Sequence, residues 1–372
     1  MRHRLQGAVR AAFVLHAMGK ILNRLVRATI AIALVCGSAM PAIAQSESET
    51  GAAPFSISTL ETVRARGYVI CAAVRPLPGF AQISADSLWS GFDVDLCRAV
   101  AAAIFGDPSR VEFRPLSGES RFAHLEQGEV DLVVRNAFWT MTRDTNYGAT
   151  YVAPAFYDGQ AFMISDRVEA VSAYELGDVT VCASAGSEAL MRMRAFFAAE
   201  QVDHEELLYE DREDLAVAYR SGRCEAITGS ASWLHAIRRT MPEPGIHRIL
   251  PERLSKEVYG PVVRSGDTQW EDLVRWTLFA IISAEELGVT SVNIDSMLSA
   301  RTPAIRRLLG VEGDFGQTFG LAPTWMRDVI RAVGSYGELY ERHFGSGNTT
   351  PLRRGQNALW THGGLIFAPP IN

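Results

Sequence analysis

Along the chain, short unbroken apolar runs alternate with amphipathic stretches, and each change of period marks a change of element. Residues 68–74 form an apolar run suited to a buried strand. Over 93–105 the apolar positions move to helical spacing, with Leu96, Val100 and Ala103 on one face. Asp93 and Asp95 occupy the first turn, where the helix dipole favours carboxylates, and Gly106 with Pro108 closes the helix. A second strand is predicted over 111–116, a short helix over 121–127 ended by Gly128, and a third strand over 130–134. Strand, helix, strand, helix, strand implies a parallel sheet. The same order returns with strands at 179–183, 207–209 and 224–228, a helix over 188–199 and another ending at Ser221. Local sequence repeats with it: Val69-Ile70-Cys71-Ala72 resembles Thr180-Val181-Cys182-Ala183, and the stretch 125–131 resembles 219–225. The pattern therefore predicts two similar α/β lobes, with a ligand cleft beyond the carboxyl ends of their strands. Past residue 260 it turns helical, with apolar stripes over 270–287 and 325–340.

Length and composition agree with two packed lobes: 372 residues, 48 % hydrophobic and 21 % charged. The formal charge of −6 disfavours nucleic acid as a partner. The part that follows residue 44 is more acidic still, because Arg2, Arg4, Arg10, Lys20, Arg24 and Arg27 precede it with no acid among them. After these cations come an uncharged run over 28–36, Gly37, Pro41 and the small triplet Ala42-Ile43-Ala44. This segment reads as a secretory signal peptide, cut before Gln45. Met18, followed by Gly19 and Lys20, is an alternative start that opens a shorter leader. The apolar run falls short of the ~20 residues a spanning helix needs, so the chain is expected in the periplasm rather than anchored in a membrane.

Beyond the leader stand four cysteines, Cys71, Cys97, Cys182 and Cys224, in a compartment where disulfides persist. Three pairings are open to four cysteines. Two of them fall in each candidate lobe, which predicts Cys71–Cys97 and Cys182–Cys224; four buried free thiols are the alternative.

Gly91-Phe92-Asp93-Val94-Asp95-Leu96, with Val100-Ala101 and Ile104, resembles the signature of the bacterial extracellular solute-binding proteins of the polar amino-acid class. Further stretches resemble the general L-amino-acid subfamily: Trp89-Ser90, Arg135-Asn136, Trp139-Thr140, Arg143-Asp144-Thr145, Tyr157-Asp158-Gly159-Gln160, Ala284-Glu285-Glu286-Leu287-Gly288 and Asn357-Ala358-Leu359-Trp360-Thr361. The resemblance implies a type II periplasmic binding protein: two doubly wound, mainly parallel lobes that close on a small amino-acid-like ligand and deliver it to an ABC permease in the inner membrane. The crossings between lobes would lie near 159–164 and 258–263. Lobe 1 would span 45–160 and 261–372, the latter with a helical extension, and lobe 2 would span 161–260. A monomer without cofactor or metal is implied.

Carried onto this chain, the resemblance places Arg143 on the ligand α-carboxylate, and a planar, permanently charged guanidinium suits that task through two parallel hydrogen bonds. Thr140 belongs to the same motif. Asn136 falls where the family offers a backbone carbonyl to the ligand ammonium, and Phe80 where an aromatic covers the ligand side chain. On lobe 2, Gly186 and Ser187 match a turn whose amides and hydroxyl meet the carboxylate at a helix N-terminus. Two positions break the pattern. Phe138 replaces a Thr or Ser hydroxyl that assists the arginine, and Ser230 replaces an Asp that neutralises the ammonium. An ammonium in a dry cleft without a counter-charge is costly, so an ordinary free amino acid is expected to bind poorly. Glu188 is a candidate for the missing charge.

Two other functions compete. One is a periplasmic lyase or dehydratase on this fold, with Glu188 or a histidine moving a proton. The histidines at 124, 204, 235, 247, 343 and 362 are scattered, however, and no HExxH, G-x-S-x-G, P-loop or metal spacing is present. The other is a sensory paralogue that no longer serves transport. Binding without chemistry is the reading the residues favour.

Overall fold

The computed structural model describes residues 58–73, 77–116, 120–134, 138–347 and 350–372. The leader expected over 1–44, its cut before Gln45, and Asn136 lie outside the described residues. In chain order the strands are β1 (Val69–Ala73), β2 (Gln82–Ile83), β3 (Trp89–Ser90), β4 (Val111–Pro115), β5 (Leu132–Val133), β6 (Ala149–Tyr151), β7 (Phe156–Asp158), β8 (Gln160–Ser165), β9 (Val179–Ser184), β10 (His204–Tyr209), β11 (Ala226–Ser230), β12 (His247–Ile249), β13 (Glu257–Tyr259) and β14 (Val262–Arg264). The α-helices are α1 (Thr59–Arg66), α2 (Phe92–Phe105), α3 (Ser120–Glu126), α4 (Met141–Asn146), α5 (Glu188–Glu200), α6 (Arg212–Arg220), α7 (Ala231–Arg238), α8 (Thr268–Glu286), α9 (Ile294–Met297), α10 (Pro303–Leu308), α11 (Trp325–Val333) and α12 (Tyr336–Phe344).

The apolar runs become the inner strands of two five-stranded sheets, ordered β4-β1-β5-β14-β6 and β10-β9-β11-β8-β12. The two orders are the same pattern used twice. In each, a first strand lies between two parallel partners: β1 between β4 and β5, and β9 between β10 and β11. The remaining pairs are antiparallel, because β14 and β8 are delivered by the crossings rather than by a strand-helix-strand turn. The sheets are therefore mixed where the sequence pattern predicts a parallel one. β1 is buried throughout its length, as a strand covered on both faces must be.

Each lobe packs its own apolar core. In the first, α8 lies against β5, with the fully buried Trp270 donating its indole N–H to the Asp131 carbonyl at 2.9 Å. The second half of the chain thereby locks onto the first. Asp95 of α2, 6 % exposed, makes a similar long-range tie, with Arg342 and His343 of α12 each 2.7 Å from its Oδ2. Disulfides join Cys71 of β1 to Cys97 of α2, and Cys182 of β9 to Cys224 just before β11.

The helix predicted over 325–340 is two helices, α11 and α12. The apolar stripe runs through the break, but Gly334 takes φ +91°, which only glycine adopts readily. Ser335 then opens α12 with a capping box, its hydroxyl accepting from the Glu338 amide while the Glu338 carboxylate accepts from its own.

Between the sheets the chain crosses twice, and the crossings pair as the antiparallel ribbon β7–β13, in register Asp158 to Glu257, Val258 to Tyr157 and Tyr259 to Phe156. Residues directly opposite in such a ribbon share a face. Phe156, Asp158, Glu257 and Tyr259 thus lie on one side, an apolar pair followed by an acidic pair.

Candidate binding site at the hinge

On lobe 1 the chain beyond β5 returns at Phe138, which bridges to Tyr259 of the hinge, while the Trp139 amide donates to the Val258 carbonyl at 2.7 Å. Thr140 caps α4, its Oγ1 accepting the Arg143 amide at 3.2 Å. One turn in, the half-buried Arg143 folds back over Phe138, with its guanidinium carbon 4.4 Å from the ring centroid and Nη1 donating to the Phe138 carbonyl at 3.0 Å. Tyr151 donates to the same carbonyl at 3.1 Å. Phe138, which on sequence removes a hydroxyl, thus supplies an aromatic platform and a carbonyl that orient the cation, an attraction of about 0.5–2 kcal/mol.

On lobe 2, β9 ends at Ser184 and the chain turns through the exposed Gly186 into α5. The Ser187 hydroxyl accepts from the Leu190 amide at 3.1 Å and donates to the Ser184 carbonyl at 2.7 Å, so it serves the helix cap. Glu188 is not the missing counter-charge. Its exposed carboxylate pairs with Arg192, one turn along the same helix, at 2.5 Å. The turn is tied to the hinge by Gln160, fully buried, whose Nε2 donates to the Ala189 carbonyl at 2.7 Å and to Thr228 Oγ1 at 3.0 Å.

Phe80 is also placed otherwise than expected. It is 1 % exposed, and its ring packs among Phe92, Phe156, Tyr259 and Phe344 in the lobe 1 core. The aromatic cluster beside it holds it there, with almost no surface left to cover a ligand.

Beside Ser230 stands a carboxylate of the ribbon. Ser230 ends β11, and its hydroxyl donates to Glu257 Oε2 at 2.7 Å. Glu257, 5 % exposed, also accepts from the Tyr259 hydroxyl at 2.8 Å and the Ser255 hydroxyl at 3.1 Å. Asp158, opposite it, accepts the amides of Gly159 and Ser232, the latter at the start of α7. Gly159 is required by space: a Cβ there would stand 2.4 Å from the Ser255 carbonyl oxygen. Among the described residues neither carboxylate has an ion-pair partner. Arg253 donates to the carbonyls of Leu250, Pro251 and Glu252 instead.

Burial pushes the Asp158 carboxyl up to about 6, the Ser232 hydroxyl and the two amides offset part of the rise, and the Glu257 charge adds to it. A carboxyl whose folded pKa lies above its unfolded value stabilises the fold below the unfolded pKa and loses that contribution as pH rises through the folded one. Stability is therefore expected to fall between about pH 4 and pH 6, by at most about 3 kcal/mol. Asp158→Asn should flatten this slope in denaturation curves taken at stepped pH.

The site residues thus form a chain of contacts from Arg143 through Phe138, Tyr259 and Glu257 to Ser230, with Gln160 leading on to the Ser187 turn. The sequence pattern does not mark Glu257 or Tyr259 as site residues, and Asp158 and Gln160 stand out only within the stretch Tyr157-Asp158-Gly159-Gln160. Their one sequence signal is a pair of acids set inside short apolar crossing strands.

Two lobes of like strand order, joined by a two-stranded hinge, make the two-lobed α/β fold of the type II periplasmic binding proteins. Residues 69–291 match the model of the bacterial extracellular solute-binding proteins, family 3, and the chain belongs to that family. It is 42 % identical over 323 residues to the general L-amino acid-binding periplasmic protein AapJ of Rhizobium johnstonii, covering 86 % of this chain and 95 % of the relative. It is 44 % identical over 317 residues to the glutamate/glutamine/aspartate/asparagine-binding protein BztA of Rhodobacter capsulatus, covering 85 % and 94 %. Among solved structures, a periplasmic binding protein from Brucella ovis with glutathione bound superposes with a TM-score of 0.78 at 43 % identity, covering 84 % of this chain and 99 % of that one.

Proposed function

We propose that this protein is the periplasmic substrate-binding component of an amino-acid ABC importer, which captures a small carboxylate-bearing, amino-acid-like solute between its lobes and hands it to an inner-membrane permease. The observation that carries this reading is the placement of Arg143, held by the Phe138 ring and carbonyl beside the hinge. The names of the relatives support the solute class. Arg143 and the amides of the Ser187 turn hold the carboxylate, and each lobe contributes fully only when the two close around the ligand. Lobe 1 spans 45–160 and 261–372, and lobe 2 spans 161–260. The exported chain begins at Gln45 and acts as a monomer, which N-terminal sequencing and gel filtration check.

The reading is tested by calorimetric titration of the mature protein with free amino acids, acylated amino acids, dicarboxylates and glutathione. Saturable 1:1 binding of at least one carboxylate is expected. Heat from none of them removes the proposal.

A further inference from the structure

The count of donors and acceptors around the hinge ribbon is unbalanced. Glu257 and Asp158 face each other across β7–β13, and the groups that reach them are hydroxyls and backbone amides. The Tyr259 hydroxyl has one proton for two carboxylates, at 2.8 Å from Glu257 and 3.3 Å from Asp158. One further oxygen beside them is unused: Gln160 Oε1, on a residue with no exposed surface, makes no hydrogen bond among the described residues, while the Ser232 hydroxyl, on a residue 2 % exposed, serves the Asp158 carboxylate. Gln160 is tied to the same assembly through its amide on Ser255 Oγ, and Ser232 through its amide on Asp158. Buried acceptors in excess, with no ion pair to either carboxylate among the described residues, are what a group bringing N–H donors and one positive charge completes.

We propose that Glu257, presented through Ser230, is the specificity residue that receives the ligand's free ammonium. This rests on the carboxylate-capture reading above and reverses the expectation drawn from Ser230 alone. The carboxylate missing from β11 is supplied from the hinge, one hydroxyl away, so the solute is an amino acid or short peptide with an unblocked amine. N-acylated and deaminated acids of the same shape are rejected. Neighbouring structure supports the geometry: the Phe138 ring lies 6.5 Å from the Tyr259 ring, which brings the guanidinium platform and the acidic pair to the two ends of one aromatic contact. Carboxylate and ammonium of one ligand would then be held at opposite ends of it.

The test uses matched probes by calorimetry on the mature protein: L-glutamate and L-glutamine, their N-acetyl derivatives, and glutarate. Wild type is expected to prefer the free amines by about 30-fold or more, the range for a desolvated charge pair. Glu257→Gln should erase that preference by lowering affinity for the free amines by about 30-fold or more, and Ser230→Asp in the Glu257→Gln background should restore it. The double variant guards against simple misfolding, as does an unchanged melting transition of the single one. Retention of the amine preference in Glu257→Gln overturns the inference and leaves carboxylate capture standing, as does a wild type that binds acylated and free probes alike. A wild type that binds none of these probes overturns this inference, and one that also binds nothing in the wider carboxylate set above overturns both.

Discussion

Arg143→Ala is expected to weaken ligand affinity by about 30- to 1,000-fold, the span measured when one partner of a desolvated charge pair is removed. The loss has two parts: the charge-assisted hydrogen bonds to the carboxylate disappear, and the carboxylate is left in a closed cleft with only the Ser187 turn to meet it. Arg143→Lys should recover only a fraction, because a point charge on a flexible stem cannot make two parallel bonds or lie flat on the Phe138 ring. Titration calorimetry reads both effects. The melting temperature without ligand should fall by only a few degrees, since α4 has no buried residue and the lost ring contact is worth about 0.5–2 kcal/mol. A large fall in melting temperature would instead mean that the residue holds the lobe together.

The largest effect on stability belongs to Trp270. Its side chain is fully buried, and Trp270→Ala opens a cavity that costs about 3–5 kcal/mol. The Asp131 carbonyl would also lose its indole donor. Trp270→Phe refills most of the volume but not the hydrogen bond, and should cost about 1–2 kcal/mol. Denaturant titrations of the three proteins separate packing from the polar contact. Because α8 joins the C-terminal half to β5 of the N-terminal half, loss of Trp270 should loosen lobe 1 before lobe 2.

The pattern of periods carried much of the architecture. β1 and β9 read directly because strands buried between layers are largely continuous apolar runs, β4, at the sheet edge, because Val111 and Phe113 alternate with Glu112 and Arg114, and α2 and α8 because their stripes are long. The break between α11 and α12 was missed since the apolar stripe stays in phase across it, although Ser335 with Glu338 three residues on was a visible start signal. The antiparallel setting of β8 and β14 depends on where the chain crosses, which no local period encodes. Within the site, Phe138 was read as an absence because its residue type lacks a hydroxyl; a ring face beneath a cation appears only when α4 folds the guanidinium back. Phe80 shows the converse, as an aromatic in a loop does not announce whether it walls a cleft or fills a core. Ser230 and Glu257 are 27 residues apart, and their hydrogen bond exists only because β11 and β13 end at the same hinge. A sequence shows a missing charge at one position; it does not show a replacement arriving from another strand.

The interleaving of the first sheet sets an order of assembly. Its fourth strand, Val262–Arg264, wedges between β5 and β6, which lie more than a hundred residues earlier, whereas the second sheet is complete at Ile249. A nascent thread emerging amino end first therefore holds every strand of its later lobe while the earlier one is still split into two unjoined pieces. The bare edges of that split invite strangers to pair, so the vulnerable interval of this molecule's life closes only as its last third arrives.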